Sequence, residues 1–499
     1  MRVLVCDPTL KLPVCRPFRL FSAGAKTVTH LTNQASFRLS GVAGATWGLA
    51  RRYAAPLVVA GYTRGMTIRS IAHASSILYA CAVLASCAQT PPLPQTEGVA
   101  ENRNYAIVYS VTIKDGEDDI AEAGIRVEQE SRRLRELRFS VDPDRHSNFT
   151  GDGDIIESEG ELIWKPPRKG GTLSYSVRIS QQRRSGAFDA RMTDKWALFR
   201  AGDLFPPAAT RTTVDANSVA RLELDLPEGW SALTGYLSGD GDFSFPIDNP
   251  ERRFDRPTGW ILAGEIGVRR GLIADTRVAI GSPVGEGVHK MDIMAFLNWT
   301  LPKLRSVFPT LDSRLVIVSA GDPMWRGGLS GPGSLYVHAD RPMISENGTS
   351  TMLHELVHVA MGVSGSAHDD WLVEGLAEYY SIKILRETGT LTNRRRTLAL
   401  AHLQQWGDPV DDLFVKRSSG PVTARAATLL AELDTYLIEE SRGRRSLDDV
   451  VGRMIESEQP YSYRSLCVAA KSIARKPVPL LSPDAVPGAP AESECMIID

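Results

Sequence analysis

The spacing of apolar residues changes character along the chain, and each change predicts a different kind of element. Between residues 101 and 258 the apolar positions alternate or form short runs: "YAIVYSVTI" at 105–113, "LSYSVRIS" at 173–180 and "RLELDL" at 221–226. A period of two bounded by turn residues is the signature of half-buried strands. The turn signals are "GDGD" at 151–154, "PPRKGG" at 166–171, "PEG" at 227–229 and "SGDGD" at 238–242. Strands at this density predict a β-sandwich-like N-terminal domain. The Asp-Gly clusters lack the terminal Glu of a calcium loop and read as solvated turns.

From Gly259 the pattern shifts. "WILAGEIGV", "TRVAIGS", "RLVIVSA" and "SLYVH" are short apolar runs around one helical stretch near 288–306. From Ser350 the period becomes helical, with segments at about 350–362, 370–387, 393–405, 421–441, 446–457 and 464–474. A small sheet followed by helices defines a second domain over 259–475, and the whole is α+β. The segment 476–499, "KPVPLLSPDAVPGAPAESECMIID", is rich in Pro and Ala and is expected to be disordered.

The first hundred residues carry a different signal. Arg69 precedes an apolar run from Ile71 to Ala85. A helix of about 15 residues spans roughly 22 Å, too short for a bilayer core, so the run fits a signal peptide over 66–86. It ends in Leu84-Ala85-Ser86-Cys87, which resembles the lipobox of bacterial lipoproteins, with the Cys87 thiol as lipidation site. Residues 87–100 then form a lipid-anchored, Pro-rich tether. Ala88 after the cysteine points to the periplasmic face of the outer membrane in a bacterial cell envelope. Residues 1–65 hold a single acid, Asp7, and Met66 stands where a signal peptide should start. They are read as an upstream extension outside the translated chain.

Composition adds exclusions. The 499 residues are 43% hydrophobic and 23% charged, with formal net charge −2. No basic field, Walker loop or dinucleotide fingerprint points to nucleic acid or nucleotide. The six cysteines form no zinc-knuckle spacing. Cys467 and Cys495 could pair in an oxidising compartment.

The chemistry concentrates in "MLHELVHVAMGVSGSAHDDWLVEGLAEYY" at 352–380. His354 and His358 lie four apart, so one helix face presents both imidazoles one turn apart. Glu355 between them completes H-E-x-x-H, a pattern of zinc peptidases. Ser350 suits the N-cap and Gly362 the C-cap. A catalytic zinc needs a third protein ligand. After a Gly/Ser-rich turn, a second helix opens at Asp369 or Asp370 and carries Glu374 in its first turns. Glu378, one turn on, is placed to accept a hydrogen bond from a ligand histidine.

Here the sequence resembles the gluzincin metallopeptidases, above all the aminopeptidase N and glycyl aminopeptidase type. "HELVH" followed by "WLVEGLAEYY" carries the resemblance. "LDLPEGW", "GWILAGEIGV", "RGGLSGPGSLYVHAD" and "SLDDVVGRM" extend it over roughly residues 220–460. The resemblance implies a thermolysin-like catalytic domain, zinc held by His354, His358 and Glu374, Glu355 as general base, and a peptide or protein substrate. Gly327 and Gly328 then lie in the substrate-binding loop.

Two positions depart from the family pattern. The loop reads Gly327-Gly328-Leu329-Ser330, without the carboxylate that pairs a substrate's terminal ammonium, so aminopeptidase specificity does not follow. The tyrosine that donates to the oxyanion falls on Thr423, with Arg425-Ala426 after it. Tyr436, Tyr461, Tyr463 and Arg425 remain as alternatives for that role. His289, His338 and His368 read as lone histidines, His368 being near enough in sequence to line the rim. Trp325 and Trp371 read as packing residues, with Trp325 beside the cleft. A membrane-anchored zinc-dependent peptidase is the first functional reading. A zinc-binding lipoprotein of weak or absent turnover, serving as an envelope binding or assembly module, is the alternative. A metal-free β-rich interaction protein comes third. No feature indicates an oligomeric state.

Overall fold

Burial follows the predicted periods closely. The strand Tyr105–Thr112 buries Tyr105, Ile107, Tyr109 and Val111 and pairs in parallel with Ser218–Asp225, Tyr105 opposite Ser218. A computed structural model supplies this view. It describes residues 104–490 apart from 115–118, 239–242, 248–252, 363–364, 419 and 458. The lipobox with Cys87, the start at Met66, the tether and Cys495 lie outside the described residues.

Three sheets make up the N-terminal part. A six-stranded sheet runs, edge to edge, through Ser244–Ile247, Ser218–Asp225, Tyr105–Thr112, Ile120–Glu128, Gly170–Arg178 and His146–Gly151. A four-stranded sheet orders Ala208–Thr212, Leu134–Ser140, Glu161–Lys165 and Asp154–Ser158. Tyr109, Val127, Phe139, Trp164 and Tyr175 fill one apolar core with residues from both. A third, five-stranded sheet orders Ser231–Leu233, Trp260–Gly264, Trp196–Arg200, Phe188–Met192 and Gln181–Gln182, and a single helical turn, α1 (Ala201–Leu204), follows Arg200.

"WILAGEIGV" is two strands in two sheets, because Trp260–Gly264 pairs with Trp196–Arg200 while Ile266–Ile273 starts the next sheet. The break is at Gly264, whose φ is 131° and where a Cβ would stand 2.3 Å from the Lys195 carbonyl oxygen.

The last sheet orders Ile266–Ile273, Thr276–Pro283, Arg314–Val318, Ser334–Val337 and Gly328–Gly331. Thr276–Pro283 and Arg314–Val318 are parallel, and α2 (Lys290–Val307) joins them, as parallel pairing requires. Then come α3 (Thr351–Met361), α4 (Asp370–Glu387), α5 (Asn393–Gly407), α6 (Gly420–Glu440), α7 (Leu447–Glu456) and α8 (Tyr463–Ala474). One apolar core joins these helices to the sheet. Gly375 lets α4 and α6 approach: a Cβ there would meet the Ala426 Cβ at 2.6 Å. Farther along α4, Lys383 Nζ lies 2.9 Å from buried Asp434 of α6 and 2.8 Å from half-buried Asp448 of α7.

The expected disorder from Lys476 is corrected up to Pro490. Val478, Leu481 and Val486 are buried against the helical core, and Tyr463 donates to the Leu481 carbonyl at 2.7 Å. Composition alone missed these three apolar anchors. Cys467 on α8 is disulfide-bonded, its partner lying outside the described residues. Among the described residues no helix is long and apolar enough to cross a membrane.

Candidate metal centre

The site begins with how α3 is held. The Ser350 hydroxyl accepts from the Leu353 N–H at the N-terminus, and Gly362, at φ 62°, closes the C-terminus in the left-handed region. Met352, Leu353, Leu356, Val357, Ala360 and Met361 face the core. That leaves His354, Glu355 and His358 on the face that meets α4 and the cleft. Asp369 occupies the N-cap position of α4 but does not cap it; its Oδ1 instead accepts from the Tyr463 N–H.

The helix pair brings three ligand atoms to one point. His354 Nε2 is 3.2 Å from His358 Nε2. Glu374 Oε2 is 3.3 Å from His354 Nε2, and Glu374 Oε1 is 3.4 Å from His358 Nε2. Zinc–ligand bonds of 2.0–2.1 Å in tetrahedral geometry place ligand atoms roughly 3.3–3.4 Å apart. The three separations match that tetrahedron edge. No other cluster of His, Cys, Asp or Glu with metal-binding spacing occurs among the described residues.

The second requirement is a lone pair aimed at that point. Glu378 Oε2 lies 3.0 Å from His354 Nδ1. A carboxylate accepts, so Nδ1 carries a proton and Nε2 is left to coordinate. Charge agrees with geometry. Burial opposes a charged His354, yet hydrogen bonds to Glu374 and Glu378 hold its pKa well above the usual imidazole value. Burial and the charge of His354 push His358 down to about 4. Burial would raise Glu374, but the hydrogen bond and charge of His354, then His358 and Arg417, hold it below the usual carboxylate range. Three carboxylates around two imidazoles call for a cation at their centre, a proton or a metal ion. The residues present fit zinc.

Glu355 is 9% exposed and stands beside the cluster of His354, His358 and Glu374. Burial pushes its carboxyl up; the charge of His354 and hydrogen bonds from the Ser330 hydroxyl and backbone N–H pull against this without cancelling it. Gly328 must be glycine here, since a Cβ would meet the Glu355 Cγ at 2.6 Å. Gly327 is crowded by the Trp325 ring, which a Cβ would meet at 2.3 Å.

His354, Glu355, His358 and Glu374 open into a cleft of about 1100 Å³, walled by the edge strand Gly328–Gly331 and by Trp325. Arg183 stacks over Trp325 at 3.8 Å and pairs with Asp189 at 2.6 Å. Gly327 does not line the cleft. Neither do Thr423, Arg425, Tyr436, Tyr461 or Tyr463, so none of the suggested oxyanion donors reaches it. His368 stands at φ 68° with its ring against the Phe414 carbonyl, away from the rim. His338 is buried and Trp371 is core. Arg417 lines the cleft together with Arg183 and Arg200, and its charge acts on Glu374; the sequence reading missed it. The Asp370 carboxylate fixes its segment by accepting from the Ser418 N–H at 2.7 Å. Only the Asp at the start of α4 hinted at this in sequence.

No protein-family model matches the chain, and no curated protein matches it. Solved structures do. An aminopeptidase N family protein from Idiomarina loihiensis superposes with a TM-score of 0.57 at 15% identity, covering 70% of each chain. A two-domain M1 zinc metallopeptidase solved with bound L-tryptophan gives a TM-score of 0.50 at 14% identity, covering 79% of this chain and 96% of that one. The fold is therefore that of the M1 metallopeptidases.

Proposed function

We propose that this protein is a zinc-dependent peptidase that hydrolyses peptide bonds with a metal-activated water. The observation that carries the reading is the triangle of His354, His358 and Glu374 ligand atoms at 3.2–3.4 Å, with Glu378 fixing the tautomer behind it. The fold likeness supports it. His354, His358 and Glu374 would hold the zinc, which when bound acts as a Lewis acid and lowers the pKa of its water.

The chain's own groups do the rest. Glu355, with its raised pKa, takes a proton from the attacking water and returns it to the leaving amine as the C–N bond breaks. The edge strand Gly328–Gly331 pairs on one side only, so its free edge can bind an extended peptide by strand addition. Ser330 stands where a carboxylate would hold a terminal ammonium, which favours binding within a chain over binding its N-terminus. Arg417 takes the oxyanion role that Thr423 cannot fill. Its replacement by Ala lowers turnover by about 10²–10³ with zinc retained.

The proposal places the protein in a bacterial envelope, anchored through Cys87 on the periplasmic face of the outer membrane. The lipobox supports this, and the disulfide at Cys467 suits an oxidising compartment. The test is a peptide-library digest read by mass spectrometry, comparing the wild type with Glu355→Gln. Cleavage that disappears in the variant while zinc stays bound is expected. Cleavage by both alike would refute the role of Glu355. Zinc without cleavage of any peptide would leave the non-catalytic envelope module as the better reading.

A further inference from the structure

A second cavity, of about 850 Å³, lies on a face of the last sheet and is lined by none of the residues of the metal centre. Arg270, Arg277 and Arg314 reach it from three adjacent strands. The register sets Arg277 directly opposite Arg314, and Arg270 opposite Ala279 on the same face. Like charges set side by side on one sheet face repel, and a bound anion would relieve this placement. Among the described residues no ion pair or hydrogen bond engages these three side chains, and the described lining holds no carboxylate. The remaining walls are largely apolar, with Tyr236, Phe245, Val268, Ala279 and Val316. Tyr236 is fixed by its own hydrogen bond from the Thr258 N–H at 2.9 Å.

The N-terminal part meets this sheet face at Leu233 and walls the cavity with Thr234, Tyr236 and Phe245. Leu233 sits against Gly281, where a Cβ would meet its Cδ2 at 2.4 Å, while Arg277 is exposed and Arg314 half-buried. Three guanidiniums around an apolar floor suit a phosphoryl group joined to an apolar group, since each guanidinium can donate to phosphate oxygens as a fork.

We propose that this cavity binds a phosphorylated amphiphile. A membrane phospholipid and a soluble organophosphate share that chemistry. The experiment titrates the full chain with dihexanoyl phosphatidic acid, inorganic phosphate and dihexanoyl phosphatidylcholine by calorimetry, then with phosphatidylglycerol and phosphatidylcholine vesicles by sedimentation. Phosphatidic acid should bind at least tenfold more tightly than inorganic phosphate, and the zwitterionic lipid should bind weakly or not at all. Arg277→Glu with Arg314→Glu should weaken phosphatidic acid at least tenfold. The exposed Arg270→Glu should weaken it several-fold, which keeps the test open if the double variant does not fold. Arg269→Glu, one residue away on the opposite face, should leave it unchanged. Sedimentation with phosphatidylglycerol vesicles that depends on Arg270 assigns the lipid source; its absence, with soluble binding intact, assigns the organophosphate. Equal binding of phosphate and amphiphile, or binding untouched by Arg270→Glu, overturns the proposal.

Discussion

Replacing Glu378 by Ala should loosen zinc without touching a ligand. The carboxylate lies 3.0 Å from His354 Nδ1, and its side chain is 17% exposed, so bulk water has limited access to take its place. Its removal frees the ring to rotate and to exchange tautomers, which turns a proton toward the metal point. Loss of such a partner costs 10–100-fold in metal affinity, or about 1.4–2.7 kcal/mol. Burial of the pair sets the expectation in the upper half of that range. Glu378→Gln keeps an acceptor oxygen and loses the charge, so it should fall between wild type and Ala. The assay is competition for zinc with a chromophoric chelator at neutral pH, on protein whose thermal unfolding confirms an intact fold. A zinc Kd unchanged in Glu378→Ala would refute the assigned tautomer.

Three further outcomes test other parts of the structure. Gly328→Ala forces a Cβ within 2.6 Å of the Glu355 Cγ and 2.9 Å of the Thr351 Cγ2, so peptide turnover should fall about 10²-fold with zinc content unchanged. Lys383→Ala strands Asp434, which is 5% exposed, and should cost about 3–5 kcal/mol in urea unfolding. Burial lowers the His146 pKa despite two neighbouring carbonyls, so the unfolded chain binds this proton more readily than the folded one. Stability should therefore be lost as pH falls from about 6.5 toward the lower folded value, and His146→Gln should flatten that slope in pH-resolved thermal unfolding.

The sequence made the helices and the meeting of His354, His358 and Glu374 legible for the same reason: both depend on short-range spacing. The apolar stripe of α3 and the histidines four apart fix which face meets the cleft, and Asp370–Glu387 follows the expected segment to the residue. What it hid depends on contacts distant in sequence. The split of "WILAGEIGV" between two sheets is decided by the Lys195 backbone against Gly264. Arg417 enters the cleft because a carboxylate 48 residues earlier holds Ser418. The three arginines converge only once strands separated by α2 pair in register. The tail from Lys476 looked disordered by composition, yet three buried side chains are enough to dock it.

Zinc per chain, measured by elemental mass spectrometry on the wild type and on Glu374→Ala, tests the central claim most directly. One zinc per wild-type chain, falling well below half in the variant, is the predicted result. A wild type that stays zinc-free after reconstitution, or a variant that keeps its full complement, would contradict the site built here from His354, His358 and Glu374.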